Sequence, residues 1–485
     1  MIQKSYAASI WLFTSFACLA IAPLPALAET STPVAENTSS IENVSEVDRV
    51  LAIREIALAF IKVGEYDRAI ALVRTISDER SKQVELANLC GSLARAGETD
   101  RALQLASTIA DETLKVVAFN SIAVILAEAG QFDRAIQIAE TIPSPDLKLI
   151  AFSDLATELV KAGQVDRALQ LIQTLPVRGR QIRVILTIAL SLALDGNLDR
   201  VLDIARTLPD EAASQNLIAL VSSRKMVMLA RSGELEQALQ SAREISDPDL
   251  KALTLRDIAE AAASAGASDR ALQIAREINR NSSENTWQLQ VFPTVARAVA
   301  KTGAIERALQ IAREISDNDL QNLTVGEIAN IAAENGNIDL ALDIARELPS
   351  GSTQTYALRD ITLSVADTGQ IDRALQLVET IPNGPWKSYA LSDIAVAIAK
   401  NGEMDRALQL VRSLPTEGSR AMALKDIAPL LVRAGNVNLA LQLARELSDK
   451  AQTAEVFADI AIELASNGQK ERAIALLDEA VSSLR

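Results

Sequence analysis

Residues 391–414 read LSDIAVAIAKNGEMDRALQLVRSL, and this stretch carries the fold in miniature. Leu391, Ile394, Ala395 and Ile398 stand eleven, eight, seven and four positions before Gly402, the i, i+3, i+4, i+7 spacing of one helical face. Gly402 can take the left-handed backbone conformation that ends a helix, and Asp405, three residues on, is expected to cap the next one. Ala407 and Leu408 then open a second apolar stripe. The stretch predicts two short helices joined by a tight turn.

The same pattern recurs around Gly64, Gly97, Gly130, Gly163, Gly196, Gly233, Gly266, Gly303, Gly336, Gly369, Gly402, Gly435 and Gly468. Ten of the twelve intervals are 33 residues and two are 37, a period that marks a stacked repeat array. Seven residues before the glycine Ala stands in ten of thirteen units, with Cys90, Met226 and Thr362 as exceptions. Five after it Ala stands in twelve, with Val201 as the exception. Small side chains at fixed places let helices approach closely. Neither helix of a unit can bury its stripe alone, so the units must stack. The expected fold is all-α, a solenoid of 13 helix-turn-helix repeats.

The extra four residues before Gly233 predict one more turn in that unit's first helix; those before Gly303 are expected in the polar loop Asn279 to Asn285. Pro429, inside a first helix, is expected to kink it.

Outside the repeat, Lys4, the apolar run from Ala7 to Ala22, Pro23, Pro25 and Ala26-Leu27-Ala28 compose a secretory leader, residues 1–28, with cleavage expected after Ala28. Residues 29–45 are polar and read as a flexible tether; residues 46–485 are the repeat array. An exported chain, periplasmic or extracellular, is expected, with no membrane insertion once the leader is removed.

The formal net charge is −15, and −16 once Lys4, the leader's one charge, departs. Such a surface repels nucleic-acid backbones and anionic lipid. There is no histidine, which removes the commonest general base and zinc ligand. Loop acids such as Asp146, Asp249 and Asp319 read as helix caps rather than calcium ligands, since no D-x-D-x-D-G loop exists. Cys90 fills a small-residue slot and reads as packed. The triplets Ser222-x-x-Lys225, Lys301-Thr302-Gly303 and Ser316-Asp317-Asn318 are in the wrong order for a serine enzyme and lie at ordinary repeat positions. No catalytic residue, metal or cofactor is expected.

The Gly, acidic residue and Ala of the joint, with the Ala seven before each glycine, resemble the tetratricopeptide repeat over about residues 46 to 485. Phe119, Phe152, Phe292 and Phe457 fall where that family favours a bulky residue. Its recurrent Trp and Tyr are mostly aliphatic here, and Ile76 stands where its second small residue would be, so the array is tetratricopeptide-like and divergent. The resemblance implies a right-handed superhelix whose concave face, lined by first helices, holds a protein or peptide. It also implies that residues ten before the glycine face the groove, including Arg256, Arg359 and Lys425, where cations would suit an acidic peptide.

In a chain this poor in aromatics, Trp287 and Trp386, both sixteen before their glycines, and Tyr356 and Tyr389, both thirteen before, are further candidates for partner binding. Eight units carry an acid nine before the glycine, such as Asp393, Asp426 and Asp459, expected to pair across units with an Arg such as Arg406. The functional expectation is an exported, non-enzymatic scaffold binding a protein or peptide in the groove. Two alternatives stand beside it: a homotypic assembly stacking end to end through its open last unit, and an exported glycan-active enzyme on a helical superhelix.

Overall fold

The computed structural model describes residues 45–173, 185, 188–189, 192, 196–207, 211–281 and 285–484. The leader and most of the tether lie outside these residues. All 25 described helices follow the repeat, two per unit except in unit 5, whose first helix falls in the gap. Units are numbered here by their turn glycines, from Gly64 in unit 1 to Gly468 in unit 13.

Local sequence sets each helix end. Gly402 sits at φ +88°, and a Cβ there would meet nothing within 4 Å, so backbone conformation and not space demands glycine. First helices begin on side-chain caps: Asp78 accepts from the backbone N–H of Ser81, Asp247 from Leu250 and Asp317 from Leu320. Asp249 and Asp319 therefore lie inside the first turn and are not the caps. The acid of the joint is no cap either. In unit 11 the cap position is Glu403, which makes no side-chain cap bond, and Asp405 lies in the first turn, where the helix dipole favours a negative charge.

The two long intervals resolve differently. In unit 6 the first helix runs 21 residues, Glu211–Arg231, four more than the usual 17. In unit 7 the second helix runs on from Ser268 to Asn281, so much of the expected polar loop is helical. The first helix Glu417–Arg433 continues through Pro429.

The alanines close the packing. Ala69, Ala102, Ala135, Ala168, Ala238 and their counterparts are fully buried, as are Ala123, Ala156, Ala259 and Ala395 in the first helices. Cys90, in the same slot, is buried and donates to the carbonyl of Leu86, and burial pushes its thiol up to about 12. It is a packing residue.

First helices of successive units pack directly on one another, whereas each second helix packs on the first helix of its own unit and of the next. The array therefore curves with its first helices inside. Second helices are tied by long side chains instead. Arg134 pairs with Asp100, Arg270 with Glu236 at 2.7 Å, Arg373 with Asp339 and Arg406 with Asp372. Arg200 to Asp166 carries this ladder across the gap in unit 5. Each rung joins the Arg of one joint to the acid of the joint before. Arg406 is thus not the partner of the acids nine before the glycines, because those lie on first helices, on the inner side. With the acids largely exposed, each rung contributes only about 0.2 to 1 kcal/mol.

The array does not remain open. The first helix of unit 1, Glu46–Val63, packs against both helices of unit 13, Lys450–Ser466 and Lys470–Ser483, as extensively as successive units pack elsewhere. Ala52 and Ala59 are fully buried although no unit precedes them in sequence. Arg68 pairs with Asp478, and Lys470 stands 3.5 Å from Glu65. The described part of the array thus closes on itself: unit 13 abuts unit 1, each covering the face the other would leave bare. The open last unit expected to stack on another copy is covered. A full turn shared among thirteen units averages about 28° each, so a modest curvature per repeat suffices.

Candidate functional site

Except beside unit 5, each described first helix is flanked by two others and backed by second helices, so the side left to solvent faces the middle of the ring. The residues exposed there lie thirteen, nine, six and two before the glycine, one helical face. Position thirteen is apolar in most units and remains largely uncovered: Leu51, Val117, Ile150, Leu323, Tyr356 and Tyr389 are all exposed large hydrophobic residues. These make up most of the large apolar residues exposed anywhere in the described chain.

The row culminates in units 10 and 11. Tyr356 and Trp386 meet edge to face at 4.8 Å between ring centroids, and Trp386 meets Tyr389 likewise at 5.8 Å. The Arg359 guanidinium lies 5.0 Å from the Trp386 centroid and 5.5 Å from that of Tyr356. Despite this mutual packing the rings are 39%, 36% and 41% exposed for Tyr356, Trp386 and Tyr389. The structure therefore brings four of the seven sequence candidates into one cluster.

The other three stand apart. Lys425 lies in unit 12 and donates to Glu455 at 3.0 Å. Arg256 lies in unit 7 and donates to Asp257 at 2.8 Å. Trp287 falls in the first helix of unit 8, and its side chain is outside the described residues. Arg359, too, is held by Asp360, at 2.6 Å. Position ten does not face the middle of the ring as the resemblance implied. Its side chains point along the ring to the next first helix: Asn120 donates to Asp154, Ser223 meets Thr254, and Lys425 reaches Glu455. These cations are already neutralised by carboxylates, which removes the basis for an acidic ligand.

One turn below the apolar row runs the acidic row at position nine. Four of its members are paired: Asp154 with Asn120, Asp257 with Arg256, Glu327 with Arg297, and Asp360 with Arg359. The other four, Asp393, Asp426, Asp459 and Glu55, occupy consecutive units 11, 12, 13 and 1, brought into one arc by ring closure. Among the described residues none of these four makes a hydrogen bond or ion pair. Burial pushes the Asp459 carboxyl up to about 6, helped by the negative charges of Glu55 and Asp426 and opposed by Lys425 and Lys62. Burial raises Asp393 as well. Carboxylates kept beside one another without a direct ion pair oppose folding, and such placements concentrate at functional surfaces.

Sequence reasoning singled out the tyrosines at position thirteen but not the aliphatic residues in register with them. The signal was a recurrent apolar residue lying off the buried stripe. Among the described residues no group of side chains is placed to hold a metal, and no helix is long and apolar enough to cross a membrane.

No protein-family model and no curated protein sequence matches this chain. Solved structures do resemble it. Ton1535 from Thermococcus onnurineus NA1 is 20% identical over 78% of this chain and 99% of its own, with a TM-score of 0.24. The pentatricopeptide repeat protein PPR10 from maize is 13% identical over 88% of this chain and 67% of its own, with a TM-score of 0.33. A circular tandem repeat protein is 13% identical over 91% of this chain and 98% of its own, with a TM-score of 0.15. At TM-scores this low the likenesses carry no assignment; that the chain is an all-α helical-repeat protein of tetratricopeptide-like build rests on its own paired helices.

Proposed function

We propose that this chain is an exported, non-catalytic scaffold that holds a segment of a partner protein against the inner wall of its ring. The observation that carries the reading is the row of large apolar side chains left uncovered on that wall and ending in the Tyr356, Trp386, Tyr389 cluster. A repeat protein needs its alanine slots and its stripes for stacking; this row lies outside both and stays exposed, and exposed aromatic anchors are what protein recognition uses. Export rests on the leader sequence.

Ring closure limits the form of the guest. The described first helices, spaced about 9 Å apart, trace roughly 100 Å of wall. Less a helix diameter, that wall surrounds an opening of roughly 20 Å, enough for an extended strand or a single helix and not for a globular domain. The guest is therefore a segment.

A photo-crosslinking amino acid placed at Tyr389, on the inner wall, and in a separate protein at Arg412, on an outer helix, tests this in the native host. The expected result is a discrete protein adduct from position 389 and none from position 412. Adducts of equal yield from both positions, or from 412 alone, would refute an inner-wall site.

A further inference from the structure

We infer that the segment held on the inner wall is basic, with lysine or arginine side chains alternating with apolar ones, and that it docks along units 10 to 13 and on into unit 1. This deepens the scaffold reading and rests on it. On each of these first helices the residue at position thirteen stands one turn above the residue at position nine: Tyr389 over Asp393 and Leu51 over Glu55, for example. Side chains four apart on a helix are neighbours, about 6 Å from one another. Around this arc the acidic row is unbroken, while the apolar row runs through Tyr356, Tyr389 and Met422, gives way to Glu455 in unit 13 and resumes at Leu51.

Charge complementarity fixes the sign of the occupant. Three cations of the arc are engaged, Arg359 by Asp360, Lys425 by Glu455, and Arg433 by Glu463. Lys62 and Lys400, at position two, favour the charged forms of Asp459 and Asp393 without pairing with them and are outnumbered by the acids. The carboxylates Asp393, Asp426 and Glu55 are not engaged, and a guest cation is the group that would satisfy them. Along the wall of an opening of roughly 20 Å one step between units measures about 5 Å, so an extended chain, advancing about 3.1 to 3.4 Å per residue, passes each unit in one to two residues.

Ring closure is what makes the arc continuous. Asp459 and Glu55 come from opposite ends of the sequence, and the charge of Glu55 raises the cost of ionising Asp459. Elsewhere the acidic row is interrupted by Asn88, Ser121, Arg224 and Thr294, so only from Glu327 through Glu55 does it run unbroken.

The test is calorimetric titration of the full chain, at physiological salt, with two short peptides of alternating leucine and charged residues. One carries lysine and the other glutamate. Three variants accompany the parent: Asp393→Asn with Asp426→Asn, Trp386→Ala with Tyr389→Ala, and Asp319→Asn with Asp405→Asn. The last pair removes the same charge from outside the inner wall. Melting curves matching the parent establish that each variant is folded.

The expected result is binding of the lysine peptide, weakened about tenfold or more by either inner-wall variant and unchanged by the control. Binding of the glutamate peptide that is lost with Trp386→Ala and Tyr389→Ala would overturn the charge assignment while leaving the inner-wall reading standing. Equal binding of the lysine peptide by all variants would mark a diffuse response to net charge and overturn the inference. Binding of neither peptide would overturn it too, with the scaffold reading still judged by crosslinking at position 389.

Discussion

The joint between units 13 and 1 and the joint between units 1 and 2 make an instructive pair. The first joins helices at opposite ends of the sequence, yet it is tightly packed, with Ala52 and Ala59 wholly buried. The second joins neighbours in sequence, yet it holds a cavity of about 190 Å³ lined by Arg54, Ala57, Leu58, Val73, Glu85, Asn88, Leu89 and Ser92. Inside it the buried Glu85 accepts from Arg54, at 2.8 Å from Nε. Closeness is thus set by side-chain size, not by covalent succession. Alanine facing the preceding unit allows first helices to nest; an Arg–Glu pair in the same layer holds them apart.

The severest way to break this comparison is Ala59→Arg. In unit 13 the equivalent residue, Glu463, meets Arg433 of the unit before, so Ala59 faces unit 13. A long cation there should cost several kcal/mol, about 1 to 3 from overpacking alone. Thermal unfolding should shift down, and small-angle scattering should show a larger radius as the ring opens. A parent-like melt and radius would contradict closure through this face.

Glu85→Ala comes next. It strips a half-buried guanidinium of its partner and should cost about 1 to 3 kcal/mol, less than a fully buried pair because Arg54 reaches solvent. The double variant Arg54→Met with Glu85→Leu fills the cavity with apolar atoms and should be neutral or stabilising by chemical denaturation. A double variant as unstable as the single one would mean that the pair holds the joint together rather than apart.

Acid responses separate the two joints further. The Asp459 carboxyl, pushed up to about 6 by burial, binds its proton more readily folded than unfolded. Its contribution to stability is therefore fully present below pH 3.8 and lost as pH rises through about 6. Asp459→Asn should raise the melting temperature at pH 7 and flatten its change between pH 4 and 6. An unaltered pH profile would show that this carboxyl is solvated in the folded protein.

The smallest effect belongs to Arg68→Ala, which removes the ion pair with Asp478. Both partners are substantially exposed, so the loss should be about 0.2 to 1 kcal/mol and should vanish in high salt. A larger loss would mean that the closure depends on surface charge rather than on the nested alanines.

Much of the molecule was legible in its residues. The glycine period, the stripe eleven, eight, seven and four before Gly402, and the alanine slots specify paired helices and their stacking, because each is a local spacing repeated. The extra turn in unit 6 was legible for the same reason. The acid of the joint was misread as a cap because a residue three after glycine satisfies both roles in one dimension; its partner, an Arg 34 residues on, emerges once second helices are set side by side. Tyr356, Trp386, Tyr389 and Arg359 could be nominated as outliers, but their meeting depends on how units 10 and 11 are rotated together.

The sequence by itself determined the unit, its number and its contacts with the next, since these depend on side-chain periodicity and size within about one repeat. Tertiary structure alone decided that the array closes, that Glu55 joins Asp459, and which face of each first helix is left uncovered. Curvature per unit is small, and its sum over thirteen units, a few degrees more or less at each step, separates an open spiral from a ring.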